Sequence, residues 1–538
     1  MRFEVLDWIA VIAYIVFAMG VGIFLTRRAS KSTDDFYLAG RKLKWWVAGT
    51  SLVATSFAAD TPLVVSGWVR SGGISENWLW WGMAFGGSLT FIVLAAWWRR
   101  LEVTTDAEFI ERRYSGKPAK LLRGFYGTYH ALITNTIVLT WVLLAMKKLV
   151  AVIIGAEDDR YDYMIVGSGL VLALSYSFLS GLWGVVVTDL MQFLLAMIGA
   201  VLLAYESINA LGGFESAQQA FASLDPRITS IIPIDNPNLK WESWKNLAWY
   251  SQGIGAFLIY VGVQGWLNKN ADGGGIGVQR YSASLSESHA RKAALWFHLA
   301  HYCIRPWPWI LVGLASLILI DPSTLPAIDG KPDHEAAYPM MMAMYLGPGI
   351  FGLLCASFLA AFMSTLDTHF NLASAYLVND VYRRFIRKDA SPKHYVWVGR
   401  FAEIFIGILA AIFALQADRI ADLFTFSLSL LGGVGPALLL RWFWKRASAF
   451  TEMSALISST ILTIVCAKLQ IPYPLSYLVI VAVSLLVSII TTLLTPPVDM
   501  KTQEKFYSII QIDKISWPNF LAAWGGGIAL IYGLLIGL

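Results

Sequence analysis

Long apolar segments recur along the whole chain, and they constrain its fold more than any other feature. A helix needs about 20 apolar residues to cross a bilayer, and about fourteen segments reach this length. Of the 538 residues, 57% are hydrophobic and 14% are charged, whereas soluble domains have roughly 25% charged residues. The sequence therefore predicts an all-α integral membrane protein, spanning 1–538 as a single membrane domain. The spans are expected near 5–26, 45–70, 77–98, 121–155, 163–182, 183–207, 244–268, 293–320, 349–381, 395–418, 422–443, 450–468, 474–495 and 519–537.

Basic residues alternate between successive loops. The segments 27–44, 99–123, 382–393 and 441–446 are rich in Lys and Arg, whereas the loops between them are neutral or acidic. Because Lys and Arg concentrate in cytoplasmic loops, we expect an even number of spans with both termini outside the cytoplasm. A plasma membrane is expected, with a bacterial inner membrane favoured.

Several classes of protein are disfavoured by what the segments contain. The first apolar segment lacks a basic leader and a small-residue cleavage site, so it is expected to be a retained helix. Cys303, Cys355 and Cys466 lie in separate apolar segments and show neither disulfide nor zinc-ligand spacing. No loop is long enough for a soluble catalytic domain, and no HExxH motif occurs. We therefore expect neither an enzyme nor a nucleic-acid-binding protein.

Polar residues interrupt one apolar segment at AAFMSTLDTHFN, residues 360–371. Ser364, Thr365 and Thr368 have helical spacing, and Asp367 lies on the neighbouring edge. Hydroxyls in membrane helices also bond back to the i−4 carbonyl, which is the alternative for each one alone. An ionisable residue within a span indicates function, and hard oxygen donors suit a small hard cation. His369 is interpreted as structural.

A second segment, TSLVATSFAADTP at 50–62, predicts a helix broken near the membrane midplane. It is rich in small and hydroxyl residues, contains Asp60 and reaches Pro62, which disfavours helix at the residue before it. Unwound carbonyls of such helices bind ions in transporters. An ordinary proline kink is the alternative.

Four motifs, in this order, resemble the sodium:solute symporter family. They are STDDFYLAGRKLKWWVAGTSLVATSFAAD (32–60), GLWGVVVTDLMQF (181–193), QRYSASLSESHARKA (279–293) and AAFMSTLDTHFNLASAYLVNDVYRRF (360–385). The resemblance implies a LeuT-like core of two inverted five-helix repeats, at 45–207 and 244–443. It also implies an extra N-terminal helix at 5–26 and peripheral C-terminal helices at 450–537.

The resemblance implies two cation sites. The main sodium site would use backbone carbonyls of the first core helix together with a carbonyl and two hydroxyls of the eighth. A second site would surround an aspartate of the TDxxQ segment and reach the eighth helix. Asp367 departs from the family pattern, where a hydroxyl is usual, which leaves open the stoichiometry and whether the second ion is sodium or a proton. The main site comprises Ala54, Phe57, Ala361, Ser364 and Thr365, and the second comprises Asp189, Asp367 and Thr368.

The resemblance also places the solute between several core helices. The glycine run in ADGGGIGVQR either unwinds the sixth core helix or forms a flexible cytoplasmic loop. Arg305 is expected to pair with Asp60, to bind a substrate carboxylate or to snorkel to the interface. The expected solute contacts are Asp60, Thr61, Trp80, Met83, Gln264, Trp266, Tyr302 and Arg305.

Together, these features predict a sodium-coupled symporter that imports a small polar solute by alternating access. The aromatic second core helix favours a sugar-like solute. A carboxylate or amino acid paired with Arg305, and a transporter-like membrane sensor, are the alternatives. Na⁺ is the expected coupling ion, without an organic cofactor. The expected partners are a small-molecule solute and lipid, and the sequence leaves the oligomeric state open, with a monomer as one option.

Overall fold

A computed structural model describes residues 3–29, 38–103, 105–156, 159–177, 182–233, 253–512 and 516–537. Within these residues, 10 helices are long and apolar enough to cross a membrane, or 11 if one bent pair counts as a span. The all-α membrane fold is therefore confirmed, whereas the number of fourteen spans and the two repeats stay predictions. The predicted span at 244–268 begins within residues 234–252, which lie outside the described residues. Part of the motif at 32–60 also lies outside the described residues.

The long helical spans are Ile74–Leu101, Gly116–Ile154, Thr188–Ala210, Glu287–Leu319, Ile350–Ile386, Lys393–Gln416, Ile420–Phe443, Ala449–Lys468, Leu475–Leu494 and Trp517–Leu535. Several of them contain a π-helical turn, which shifts the phase of the side chains that follow. These turns are Thr90–Leu94, His130–Thr134, Leu299–Ile304 and Tyr376–Ile386. The span Thr188–Ala210 is part of the helix Leu182–Ala210. Other helices include Val5–Ala29, Asp106–Arg113, Asp159–Ser177, Phe214–Ala222, Ala337–Tyr345 and Met500–Ile510. A two-stranded antiparallel hairpin pairs Ala327–Ile328 with Lys331–Pro332.

The bent pair, which we call the broken helix, consists of Trp45–Thr55 and Asp60–Gly72. Its two halves meet at 65°, and residues 56–59 between them are not helical. Pro62 lies in the first turn of the second half, where its missing N–H costs no helical hydrogen bond. The break that the sequence predicts is therefore present, and it frees backbone carbonyls inside the protein.

The helix Ile350–Ala375, which we call the central helix, contains the polar segment 360–371. It packs against Leu182–Ala210, Val5–Ala29, Asn135–Ile154 and Pro392–Gln416. Residues from Phe358 to Phe370 are almost all buried. A helix enclosed on all sides can bury polar groups only if neighbouring helices satisfy them.

A second interruption lies at residues 265–275, which we call the glycine loop. It separates Gly253–Ile259 and the π-helical turn Tyr260–Gln264 from Ile276–Ala283. Gly273 and Gly275 have φ of 73° and 66°, a region that favours glycine. At the start of the loop, a Cβ on Gly265 would lie 2.2 Å from the carbonyl oxygen of Gly82. This small-residue contact holds the loop against the helix that contains Trp80.

Candidate ion and solute sites

The central helix meets the broken helix at its non-helical segment. Oγ1 of Thr365 donates a hydrogen bond of 3.3 Å to the carbonyl oxygen of Phe57. Both residues are buried, and so are Ala54 and Ala361. A hydroxyl and a carbonyl that already face each other across a helix break are the oxygen donors that a hard cation prefers.

Ser364, next in sequence, faces a different partner. Its hydroxyl donates to Oδ1 of Asp189 over 2.6 Å. The other oxygen of Asp189 accepts from Ser51 over 2.8 Å and from Thr55 over 3.3 Å. Because each hydroxyl donates its hydrogen to the carboxylate, its oxygen lone pairs stay available to a cation. The structure thus joins the two predicted cation sites through one buried carboxylate.

Arg280 belongs to this cluster, although the sequence interpretation did not include it. Its Nη2 atom donates to Oγ1 of Thr55 over 3.0 Å, and the side chain is 1% exposed. Arg280 is close enough to Asp189 and Asp367 to interact electrostatically with both. The two carboxylates, predicted to share a cation or a proton, thus have a cation of the chain itself beside them. In the sequence, the QR pair at the start of the motif at 279–293 was the signal that could have marked Arg280 as a candidate site residue.

The remaining residues of the second site are buried on the central helix. Asp367 is 0% exposed and accepts from Nδ2 of Asn371 over 2.8 Å. Oγ1 of Thr368 is buried and has no hydrogen-bond partner. His369, interpreted as structural, bonds to Oδ1 of Asn135 through Nδ1 over 2.6 Å. An unsatisfied buried hydroxyl such as that of Thr368 is consistent with an ion ligand.

A cavity of about 290 Å³ lies beside the break and extends along the interior. Thr365 lines it together with Thr55 and Ser56 of the broken helix, so the ion and solute regions adjoin. The size falls at the lower end of the range for small-molecule sites. Of the predicted solute contacts, those that line the cavity are Asp60, Thr61, Trp80, Met83 and Tyr302.

Gln264 and Trp266, also predicted as solute contacts, do not line this cavity. Gln264 is fully buried and bonds to the carbonyl of Leu79 and the hydroxyl of Tyr473. The ring of Trp266 packs edge-on against Trp524, at a centroid distance of 5.4 Å. A π-helical turn ends at Gln264 and rotates these side chains away from the direction that an α-helical phase predicts.

Arg305, for which the sequence left a structural and a solute-binding role open, does not line the cavity and is 1% exposed. Nη1 donates to the carbonyl of Val53 over 2.9 Å, and Nη2 donates to that of Ser56 over 3.3 Å. Its guanidinium also lies over the rings of Phe57 and Trp309. Arg305 therefore caps the C-terminal end of the first half of the broken helix, where a cation is favourable. Asp60 interacts with it electrostatically but does not bond to it directly in the structure.

The glycine loop forms part of the cavity wall, rather than a free cytoplasmic loop. Its N–H at Gly275 donates to Oδ2 of Asp106 over 3.1 Å. The same carboxylate accepts from the hydroxyls of Tyr126 over 2.9 Å and Tyr376 over 2.5 Å. Asp106, Tyr126 and Tyr376 all line the cavity. This bonded group holds one end of the cavity together.

Comparison with models of known protein families finds a match over most of this chain. The model of the sodium:solute symporter family matches residues 36–460. The sodium/glucose cotransporter of Vibrio parahaemolyticus is 26% identical over 477 residues, which cover 83% of this chain and 82% of that protein. The sodium/myo-inositol cotransporter 2 of Oryctolagus cuniculus is 26% identical over 477 residues, 82% of this chain and 67% of that protein.

Among solved structures, the substrate-bound outward-open state of a Na⁺-coupled sialic acid symporter superposes with a TM-score of 0.73. It is 20% identical in sequence and covers 93% of this chain and 100% of that chain. A likeness at this identity shows the fold, and it confirms the LeuT-like fold class.

Proposed function

The chain belongs to the sodium:solute symporter family, and we propose that it couples sodium entry to the uptake of a small hydroxylated solute. The observation that carries this proposal is the hydrogen bond from Thr365 to the carbonyl of Phe57 at the helix break. A sodium ion at this point would bind Thr365, Ser364 and the carbonyls of Ala54, Phe57 and Ala361. It would thereby fix the broken helix to the central helix.

The arrangement also supports coupling between ion and solute. Thr365 lines the cavity, and Thr55 both lines it and bonds to Asp189. An ion that orders these side chains lowers the cost of ordering them for the solute, and the reverse holds by thermodynamic reciprocity. Each sodium ion that crosses a membrane potential of 100 mV contributes about 2.3 kcal/mol to the work of uptake.

The cavity wall and the relatives both support a sugar-like solute. Trp80, Trp68 and Trp141 line the cavity with aromatic faces, and hydroxyl and amide side chains lie between them. Aromatic faces suit the C–H face of a sugar ring, and scattered polar groups suit its hydroxyls. The relatives named for glucose and myo-inositol carry hydroxylated ring solutes.

Uptake into proteoliposomes tests this proposal. We expect radiolabelled solute from a panel of sugars and sugar derivatives to accumulate under an inward Na⁺ gradient and not under an equal K⁺ gradient. Ser364→Ala combined with Thr365→Ala should raise the half-saturating Na⁺ concentration at least about tenfold. Ser357→Ala is the control, because Ser357 is buried in the same helix but bonds only to its own helix, at Leu354. An unchanged sodium dependence in the double variant would refute the ion site.

A further inference from the structure

Lys269 is the only Lys or Arg among the residues that line the cavity. It lies in the glycine loop, and its Nζ atom is 5.5 Å from the centroid of the Trp141 ring. Within the described part of the chain, no carboxylate oxygen lies within 4.0 Å of that atom. The cavity therefore contains an ammonium group without an anionic partner from the protein.

Two other buried cations in this protein have carboxylate partners. Lys148 lies 2.7 Å from Asp333 and 2.5 Å from Glu335. Arg441 bonds to Asp272 over 2.5 Å and to Glu452 over 3.3 Å. A buried charge is costly unless it is paired. The buried guanidinium groups without a carboxylate partner bond instead to carbonyl or hydroxyl oxygens, at Arg70, Arg113, Arg280 and Arg305. Lys269 has neither kind of partner among the described residues, and it lines the cavity.

The two carboxylates in the cavity wall, those of Asp60 and Asp106, do not form an ion pair with Lys269. The oxygens of Asp106 accept from Tyr376, Tyr126 and the N–H of Gly275. Asp60 accepts from the hydroxyl of Thr61 over 3.5 Å and interacts electrostatically with Arg305. Among the described residues no carboxylate pairs with Lys269, which leaves a molecule in the cavity as the source of an anion.

The backbone on both sides of Lys269 is fixed. Asn268 donates to the carbonyls of Gln264 and Gly265, both over 3.0 Å, and accepts from the N–H of Asn270 over 2.9 Å. Farther along, Oδ2 of Asp272 accepts from Trp442 over 2.7 Å, in addition to Arg441. A rigid loop presents the ammonium group at a defined position, which lowers the entropy lost when an anion binds.

Other groups of the wall suit hydroxyls. Nε2 of His130, Oγ1 of Thr134 and Nδ1 of His301 are buried and have no hydrogen-bond partner among the described residues. All three residues line the cavity. Buried polar atoms in native proteins almost always have partners. Hydroxyls of a solute can supply them, next to the aromatic face of Trp80.

We propose that Lys269 binds a carboxylate of the solute, and that this solute is a hydroxylated carboxylic acid such as a hexuronate or an aldonate. This inference rests on the proposed function and narrows it. It assigns to Lys269 the carboxylate contact that the sequence analysis gave as one alternative for Arg305.

The test compares an acid with its neutral ester. Melting temperature of the purified protein is measured in Na⁺ buffer with glucuronate, galacturonate and gluconate, with glucuronate methyl ester, glucose and galactose as neutral controls. We expect at least one acid to raise the melting temperature, and its ester to do so only at concentrations at least about tenfold higher. Uptake into proteoliposomes should show the same preference.

Variants at Lys269 complete the test. Lys269→Gln should weaken binding of the acid at least about tenfold and remove the preference over the ester. Lys269→Arg should retain the preference, because it retains the positive charge. The matched control is Lys501→Gln, at an exposed position. A stabilising effect of Na⁺ alone on Lys269→Gln shows that this variant is folded.

The remaining outcomes separate a failure of the proposed solute class from a failure of the proposed function. Equal binding of acid and ester, unchanged acid affinity in Lys269→Gln, or no effect of any acid would overturn the solute class. Binding of an amino acid in place of these acids would also overturn it. The proposed function fails separately, if wild-type uptake and stability do not depend on Na⁺ for any solute.

Discussion

Ser364 of the central helix donates a 2.6 Å hydrogen bond to Asp189 of the Leu182–Ala210 helix. The same carboxylate accepts from Ser51 and Thr55, so three helices converge on one buried negative charge. Arg280 approaches from a fourth element, through Thr55. Asp189 therefore positions Ser364, one of the two hydroxyls that are proposed to bind sodium.

We expect Asp189→Asn to raise the half-saturating Na⁺ concentration for uptake at least about tenfold. An amide has one acceptor oxygen instead of two, and it removes one of the two carboxylates that interact electrostatically with Arg280. Sodium titration of uptake and of melting temperature measures the effect. Asp422→Asn, at an exposed carboxylate, is the control and should change neither quantity. Equal sodium affinities of both variants would refute the organising role of Asp189.

Arg305→Gln should destabilise the protein by about 3 kcal/mol, because buried hydrogen bonds from a charged group to the carbonyls of Val53 and Ser56 are lost. The preference for an acid over its ester should stay the same, since Arg305 does not line the cavity. Thermal melting and competition with the ester measure the two quantities. Arg291→Gln is an exposed control. A lost preference for acids at normal stability would instead make Arg305 a solute contact.

Replacing Tyr126 and Tyr376 together by Phe should loosen the glycine loop. The double variant removes two of the three donors to Asp106, which then bonds less firmly to Gly275. Hydrogen–deuterium exchange of peptides that cover 265–275 should become faster. Tyr129→Phe is the matched control, because its hydroxyl bonds to Thr460 elsewhere. Unchanged exchange in the double variant would show that Asp106 does not hold the loop.

Arg441→Met should be the most destabilising of these changes, by about 3–5 kcal/mol. It leaves Asp272 and Glu452 buried without their shared cation. Thermal melting in detergent measures the loss. Arg446→Met, at an exposed position nearby, should shift the melting temperature little. A similar shift for both variants would mean that the buried pair contributes no more than a surface residue.

Local patterns in the sequence were sufficient for the all-α membrane fold and the helix break. Long apolar segments predict spans by length alone, and Pro62 after small residues predicts the interruption. The helical spacing of Ser364 and Thr365 correctly placed both on the central helix, and the structure brings Thr365 to Phe57. Their role as sodium ligands stays a prediction.

Contacts between distant segments could not be predicted in the same way. Arg280 approaches Asp189 only after the chain has folded, and the QR pair of the motif at 279–293 marks Arg280 without indicating which residue it approaches. Gln264 and Trp266 were proposed from the resemblance, and neither lines the cavity, so their role as solute contacts stays a prediction. Lys269 was overlooked because a glycine-rich insertion is typical of an exposed loop, whereas here the loop is fixed by Asp272.

A short backbone bridge joins the segment before the broken helix to the segment that follows the helix Ile276–Ala283. The N–H of Leu43, just before the broken helix, donates to the carbonyl of Ala283 over 3.1 Å. The N–H of Leu285 donates in turn to the carbonyl of Leu43 over 2.9 Å. The two segments cannot separate at this end without losing both bonds. As long as both bonds are kept, the two segments stay joined at this end, and any separation between them has to occur away from it, as a hinge motion about the bridge.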